Sequence, residues 1–133
     1  MTNFSRLTPG GGLVVHERAG GHTLARHVGI TEASLVNRLV TQPTLPRASS
    51  FFNREIAEQT ISDAMDANQT QIVNWLATAT ARLSIYHRVN QAIGISLAQN
   101  NLHPAIAQNL RIILKRDATV SLGYYILTAY PEP

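Results

Sequence analysis

The sequence predicts an α+β fold in which short N-terminal helices and a helical middle are followed by an antiparallel sheet. Apolar residues recur at helical spacing up to about residue 76 and alternate with polar residues after residue 80. The chain has 133 residues and no cysteine, so a core of ordinary size can form without disulfides. We therefore expect one domain over residues 13–133, preceded by a flexible leader over residues 1–12.

Three short helices are predicted before residue 42. The first covers residues 13–19 and is closed by two glycines, and the second follows from Leu24 and ends at Gly29. Thr31 is expected to cap the third helix, which has an acidic residue in its first turn. The apolar stripe of this third helix comprises Leu35, Leu39 and Val40.

A long helical stretch occupies the middle of the chain. Residues 41–47 contain two prolines and are predicted to form a loop, after which Asn53 is expected to cap the long helix. The helix is predicted to break near Asn68 and then continue. Its apolar stripe comprises Ile56, Ile61 and Met65 before the break and Ile72, Val73, Trp75 and Leu76 after it.

Four strands are predicted in the last third of the chain and are expected to form an antiparallel meander. They cover residues 82–88, 92–97, 110–116 and 122–130. The middle helices would cover one face of the sheet, and the other face would form a cleft with the N-terminal segment. Strict alternation would place Tyr124, Ile126, Thr128 and Tyr130 on one face of the last strand.

The charges are distributed in three blocks. The net charge is +3 over residues 1–50, −3 over residues 51–80 and +3 over residues 81–133. All five histidines lie in the two basic blocks. This distribution favours an anionic partner bound where the two ends of the chain meet.

The N-terminal histidines, His16, His22 and His27, have no spacing typical of a metal site, so no metal site is predicted.

Two alternative functions are a DNA-binding regulator and a module that binds another protein. Residues 23–39 resemble a helix-turn-helix, which would make the protein a DNA-binding regulator. A helical hairpin packed for stability explains the same pattern, and a catalytically silent module that binds another protein is the remaining alternative.

The residue types also suit cleavage of an RNA phosphodiester without a metal. That reaction needs a base of near-neutral pKa, a cation for the charge at phosphorus and hydrogen-bond donors to the same oxygens. Histidine and arginine meet the first two needs, and the hydroxyls of Thr128 and Tyr130 would point in the same direction. The pattern alone does not choose among the five histidines.

Several motifs together resemble the ribonuclease A-like toxin domains at the C-termini of bacterial contact-dependent growth inhibition proteins and related polymorphic toxins. The resemblance spans residues 13–131. The motifs are His16-Glu17-Arg-Ala-Gly-Gly-His22, Ala25-Arg-His-Val-Gly29, Ala48-Ser-Ser-Phe51, Asn74-Trp75, Ile93-Gly94 and Gly123-Tyr-Tyr-Ile-Leu-Thr-Ala-Tyr-Pro131.

The resemblance implies a kidney-shaped ribonuclease A-like fold without disulfides. It implies an endoribonuclease toxin that needs no metal or cofactor and cleaves RNA by 2′-hydroxyl attack, giving a 2′,3′-cyclic phosphate. The toxin would be part of a secreted or cell-surface effector and act in the cytoplasm of a competing bacterium. We expect it to have no membrane segment, to be monomeric when free, and to be neutralised by a cognate immunity protein, which the basic ends predict to be acidic.

The resemblance also assigns a catalytic set of His27, Arg38, Thr128 and Tyr130. His27 would be the general base, Arg38 would stabilise the charge on the phosphorane, and the two hydroxyls would bind the phosphate or the ribose. The pancreatic enzyme has a second histidine at the strand end, and this chain has none there. Candidates for the general acid are Tyr130, His22 and His16, although His16 with Glu17 is expected to brace the N-terminal helices, and Lys115 is expected to be a solvated strand residue.

Overall fold

The computed structural model describes residues 12–133, so the predicted leader lies outside the described residues except for Gly12. The helices are α1 (Leu13–Ala19), α2 (Thr23–His27), α3 (Glu32–Thr41), α4 (Arg54–Ala67) and α5 (Gln69–Leu76). The strands are β1 (Arg47–Phe51), β2 (Arg82–Arg88), β3 (Gly94–Ala98), β4 (Asn101–Ala107), β5 (Asn109–Arg116) and β6 (Tyr124–Glu132). The predicted α+β class is confirmed.

The helix boundaries follow from caps that the sequence shows. The side chain of Thr31 accepts a hydrogen bond of 3.1 Å from the Ser34 amide at the start of α3. Asn53 does the same for Ile56 at the start of α4, at 2.8 Å. Two residues predicted for apolar stripes were assigned wrongly: Val40 and Val73 are 63% and 60% exposed, because each lies beside the buried face of its helix.

The strands form two three-stranded antiparallel sheets rather than one meander. Sheet 1 has the order β1-β3-β4 and sheet 2 the order β2-β5-β6. The sequence predicted β2 correctly and three other strands with shifted ends, but it missed β1 and β4. The core of β1 is Ala-Ser-Ser, which has weak strand propensity, and β4 contains Pro104, which is tolerated there because β4 lies at a sheet edge.

A β-bulge at Leu127 changes which residues share a face of β6. Ile113 pairs with Thr128, whereas Leu114 pairs with Ile126, so Leu127 has no partner on β5. Ile126 consequently lies on the core face together with Tyr124, and the predicted common face with Thr128 and Tyr130 is wrong for these two residues. Thr128 and Tyr130 do share a face, opposite to the core.

Two apolar clusters hold the elements together. The larger one joins α4 and α5 to the core face of sheet 2, as the predicted covering of one sheet face requires. The smaller one packs α3 on sheet 1 and contains Leu35, Leu39, Ala48 and Leu97. Within residues 12–133, the structure has no helix with the length and apolar content needed to cross a membrane.

Candidate active site

A cleft of about 510 Å³ brings together three of the four predicted catalytic residues, His27, Arg38 and Tyr130. These side chains come from α2, α3 and β6, so three separate segments of the chain converge on one cavity. The cleft is also lined by Leu45, Pro46, Arg47, Ser49, Ser96, Ala98, Asn100, Pro131 and Glu132.

His27 is the last residue of α2, and the residues after it are fixed to β1. The Gly29 amide donates to the Phe51 carbonyl at 3.1 Å, and the Ile30 amide donates to the Ser50 hydroxyl at 2.9 Å. Gly29 has φ 65°, a backbone conformation that favours glycine, so the chain turns onto the strand two residues after α2 ends. This attachment fixes the position of His27 above sheet 1.

The environment of His27 sets its tautomer and its charge. Its Nδ1 lies 2.9 Å from the Ser49 carbonyl oxygen, which can only accept, so Nδ1 carries the proton and Nε2 holds a free lone pair. The ring is only 8% exposed. Burial, and to a lesser degree the positive charge of Arg38, lowers the pKa of His27 to about 4 against the hydrogen bond to Ser49, which raises it. The imidazole is therefore neutral at pH 7 and can accept a proton.

Acid is expected to destabilise the fold through His27. In the unfolded chain this group titrates near its ordinary pKa of 6.5, but in the folded chain its pKa is about 4. Between these values the unfolded chain binds a proton that the folded chain does not, so the free energy of unfolding falls as the pH falls. The full loss for this one group is about 3 kcal/mol.

Urea unfolding at about pH 7.5 and about pH 4.5 measures this loss. His27→Asn removes the titrating group and retains a side-chain donor for the Ser49 carbonyl. Between about pH 7.5 and about pH 4.5, its free energy of unfolding should therefore decrease by about 2–3 kcal/mol less than that of the wild type. His103→Ala, at an exposed position of β4, is the control and should lose as much stability as the wild type. An equal loss in wild type and His27→Asn would contradict the lowered pKa.

Arg38 lies in the last turn of α3 and points its charge into the cleft. Leu35 and Leu39, on either side of it in the helix, are buried against sheet 1 and fix the rotation of α3. Arg38 also lines a second, smaller cavity of about 280 Å³. The eleven-residue spacing from His27 does not align the two residues on one helix, because α2 ends at His27 and α3 begins at Glu32.

The ring of Tyr130 contacts the ring of His27, and both residues line the cleft. The two rings have centroids 5.4 Å apart and are tilted by 43°. Burial, with a smaller contribution from the Glu132 carboxylate, raises the pKa of the Tyr130 phenol above its ordinary value of 10.0. The phenol therefore keeps its proton at neutral pH and can donate it to an oxygen in the cleft.

Thr128, the fourth predicted residue, lies behind the cleft rather than in its wall. It shares the β6 face of Tyr130 but is only 9% exposed, and it does not line the cavity. Its hydroxyl is buried and has no hydrogen-bond partner within the described part of the chain. Thr128 therefore has an unused donor beside Tyr130.

The histidine and glutamate of the first helix connect it to its neighbours. His16 accepts a hydrogen bond of 2.9 Å at Nδ1 from the Ile126 amide, and Glu17 accepts one of 3.1 Å from the Ala25 amide at the start of α2. The His22 amide donates to the Leu127 carbonyl at 2.9 Å, and burial lowers the pKa of its ring. These contacts agree with the predicted bracing role of His16 and Glu17. Neither His16 nor His22 lines the cleft.

Several residues of the cleft wall were not predicted from the sequence. Arg47 donates from Nη1 to the Ser96 hydroxyl at 3.1 Å and adds a second positive charge, opposed by Glu132. Ser49 contributes its carbonyl oxygen, which any residue at that position would supply. Only the basic character of Arg47 next to the proline loop could have indicated a role in binding an anion.

The chemistry of the cleft is that of a base and an anion-binding group side by side. It offers a neutral imidazole, two guanidinium groups and a protonated phenol. Among residues 12–133, no group of three or more His, Asp or Glu side chains is arranged to hold a metal ion. Such a cleft can bind a phosphate and move a proton next to it.

Comparisons with known proteins agree with this chemistry. A family model described as the bacterial CdiA-CT RNAse A domain matches residues 21–131. Among solved structures, the crystal structure of a CdiA-CT/CdiI complex from Y. kristensenii matches with a TM-score of 0.80 and 41% sequence identity, covering 85% of this chain and 100% of the other. No curated protein matches the sequence significantly.

Proposed function

This chain belongs to the family of bacterial CdiA-CT RNAse A domains, and we propose that it is the toxin that cleaves RNA without a metal ion. The observation that carries the proposal is the Nδ1–H···O hydrogen bond from His27 to Ser49, because it leaves Nε2 free in a cleft that also holds Arg38 and Tyr130. We propose that residues 13–133 make up the toxin domain.

The first step assigns His27 as the general base. Its Nε2 removes the proton of a ribose 2′-hydroxyl, and the 2′-oxygen then bonds to the adjacent phosphorus. In the free enzyme the low pKa of the His27 imidazole would make it a weak base, but a bound phosphate places a negative charge beside the ring. That charge offsets Arg38 and raises the pKa of the imidazole while the substrate is bound.

The second step requires charge stabilisation and a leaving group. Arg38 binds the equatorial oxygens as negative charge accumulates on the phosphorane, and Tyr130 donates its phenolic hydrogen to the same group. As the bond from phosphorus to the 5′-oxygen breaks, that oxygen takes a proton from Tyr130, our candidate for the general acid. The products are a 2′,3′-cyclic phosphate and a free 5′-hydroxyl.

Thr128 is assigned a supporting role in this scheme. Its buried hydroxyl has no hydrogen-bond partner within the described chain and lies two residues from Tyr130 on the same strand face. A small rotation of Tyr130 on substrate binding would open the space between Thr128 and the cleft. We propose that the hydroxyl then donates to a ribose or phosphate oxygen.

The partner proposal follows from the solved relative, which is a complex with CdiI. We propose that a cognate immunity protein binds this chain and closes the cleft, and that an acidic surface on it meets Arg38 and Arg47. The toxin would be delivered from a secreted or cell-surface effector and act in the target-cell cytoplasm. Binding should weaken as salt rises, since it depends on these charges.

The DNA-binding alternative has little support in the geometry. The first helix of the proposed unit, α2, has five residues, and the segment after it is hydrogen-bonded to β1. The recognition helix would be α3, but its Arg38 lines the cleft and is not free on an open face of the helix. A groove-binding helix needs its basic side chains free on one exposed face.

The test of the proposed function is incubation of the purified protein with total bacterial RNA in excess EDTA. We expect cleavage, with products that end in a 2′,3′-cyclic phosphate and resist 3′-end ligation until the cyclic phosphate is opened and removed. A stoichiometric amount of the immunity protein should stop the reaction. Intact RNA with EDTA and cleavage on addition of Mg²⁺ would contradict the metal-free mechanism, and intact RNA in both would contradict the ribonuclease.

A further inference from the structure

The face of sheet 2 opposite its apolar core is open over β2. Four residues on β2 that alternate with the buried Ile85 are exposed: Arg82, Ser84, Tyr86 and Arg88. Their partners on β5 continue the same face, which we call the outer face of sheet 2. It consists of these four residues together with Asn109, Arg111, Ile113 and Lys115.

The outer face leads into the candidate active site. Tyr86 lies opposite Arg111, and Arg111 lies opposite Tyr130. Residues directly opposite each other in an antiparallel pair project to the same side. The three side chains therefore form one row from the exposed edge of the sheet to the cleft, over two strand spacings or about 10 Å.

The guanidinium of Arg111 lies over the ring of Tyr86. Its guanidinium carbon lies 5.1 Å from the centre of that ring. It also donates to the Ser84 hydroxyl at 3.2 Å and pairs with the Glu132 carboxylate at 3.4 Å. Tyr86 is nonetheless 48% exposed, so part of its aromatic surface is open to solvent.

The cations around Tyr86 are available for a ligand. Among residues 12–133 the structure has two ion pairs, Arg54 with Glu58 and Arg111 with Glu132, and neither uses the other cations of this face. Arg82 and Arg88 are thus left without a carboxylate at ion-pair distance, and both are exposed. Exposed aromatic surface flanked by positive charge is typical of single-stranded nucleic-acid sites.

We propose that the outer face of sheet 2 binds the single-stranded RNA that flanks the scissile bond, with Tyr86 stacking on a base and Arg88 contacting a backbone phosphate. This inference rests on the proposed ribonuclease function. It makes Tyr86 and Arg88 binding residues for the substrate strand beyond the cleft. The enzyme then distinguishes an extended unpaired strand from a short fragment.

The charge and the continuity with the cleft favour RNA over a protein partner. An RNA strand that enters the cleft at Tyr130 carries one phosphate per nucleotide along the row toward Tyr86, and a base can stack on any aromatic face. The exposed positions of β2 carry two positive charges and one aromatic ring, the groups that a phosphate backbone and a base require; they are Arg82, Ser84, Tyr86 and Arg88.

Two substrates of different length distinguish the contribution of the outer face from that of the cleft. A dinucleoside monophosphate fills the cleft alone, whereas an unpaired oligoribonucleotide also covers the outer face. For Tyr86→Ala and Arg88→Ala we expect the ratio of kcat/KM on the oligonucleotide to kcat/KM on the dinucleoside monophosphate to fall roughly 5- to 100-fold. Arg18→Ala, an exposed cation on α1, is the control and should leave the ratio unchanged.

A binding measurement tests the face independently of catalysis. A fluorescent 2′-O-methyl oligoribonucleotide has no free 2′-hydroxyl and cannot be cleaved, and its anisotropy reports the Kd of wild type and variants. We expect Kd to rise for both variants, and the slope of log Kd against log salt to decrease by about 0.7 for Arg88→Ala. Thermal unfolding should show that the exposed substitutions leave the fold intact.

The outcomes are distinguishable. If wild type cleaves neither substrate but binds the 2′-O-methyl strand through Tyr86 and Arg88, the ribonuclease proposal fails and the binding face stands. If both variants bind and cleave the oligonucleotide as wild type does, the face carries no RNA and this inference is overturned. Normal RNA binding with lost affinity for the immunity protein would also overturn it, and would assign the face to the protein partner.

Discussion

Replacing His27 by alanine or by asparagine is expected to lower kcat/KM for RNA cleavage roughly 10²–10⁴-fold, the usual contribution of a general base. In both variants no group at this position can take the 2′-hydroxyl proton. Asparagine retains a donor for the Ser49 carbonyl, so the hydrogen bond that fixes this end of α2 is preserved. A loss in both variants therefore comes from the missing base and not from a displaced helix.

The control for this experiment is His103→Ala, which removes an exposed histidine of β4 and should retain wild-type activity. The pH profile of the wild type adds a second criterion, because kcat/KM reports the free enzyme. A base acts only when unprotonated, so kcat/KM should stay level as the pH falls through 6.5 and decline near the His27 pKa of about 4. Activity of His27→Asn within tenfold of wild type would refute this role for His27.

The largest expected effect on stability is that of Gly94→Ala, at the start of β3. A Cβ there would collide with the Ser50 carbonyl oxygen and lie 2.8 Å from Cγ of Pro131 and 2.9 Å from Cα of Phe51. These are atoms of β1 and β6, which carry Ser49 and Tyr130 into the cleft. Because backbone atoms cannot rotate away, we expect the free energy of unfolding to fall by about 3 kcal/mol or more.

Gly123→Ala is the matched control. Gly123 has φ 81°, so alanine there adopts an unfavourable backbone conformation, but a Cβ would meet nothing within 4 Å. The expected cost is about 1–2 kcal/mol. Urea unfolding of both variants separates crowding from backbone strain, and a Gly94→Ala protein no less stable than Gly123→Ala would refute the close packing of the three strands.

Local signals predicted the helices, whereas pairing between distant segments decided the strands. Thr31 and Asn53 identify their helices because a cap interacts with residues only three positions ahead. Nothing local in Arg47–Phe51 indicates a strand, since it becomes one by pairing with β3. The bulge at Leu127 depends in the same way on the partner strand, and without it the alternation of β6 could not be assigned to the correct faces.

The candidate site was predictable only through family resemblance. Residue chemistry required a histidine, an arginine and hydroxyl donors, but it could not choose His27 among five histidines. What distinguishes His27 is a backbone carbonyl of β1 and the ring of Tyr130, both contributed by distant segments. Arg47 of the cleft wall escaped prediction because β1 itself was not predicted, and Ser96 escaped it because the pairing of β3 with β1 was not predicted.

The hydrogen bonds at the bulge of β6 connect the N-terminal helices to the strand that is synthesised last. The amide of Ile126 bonds to His16, 110 residues earlier, and the carbonyl of Leu127 accepts from His22. During synthesis α1 and α2 leave the ribosome long before the backbone groups that hold them exist. A nascent chain or fragment that stops before residue 124 therefore lacks both Tyr130 and the β6 backbone groups that bond to His16 and His22. Such a fragment should be harmless to the cell that makes it.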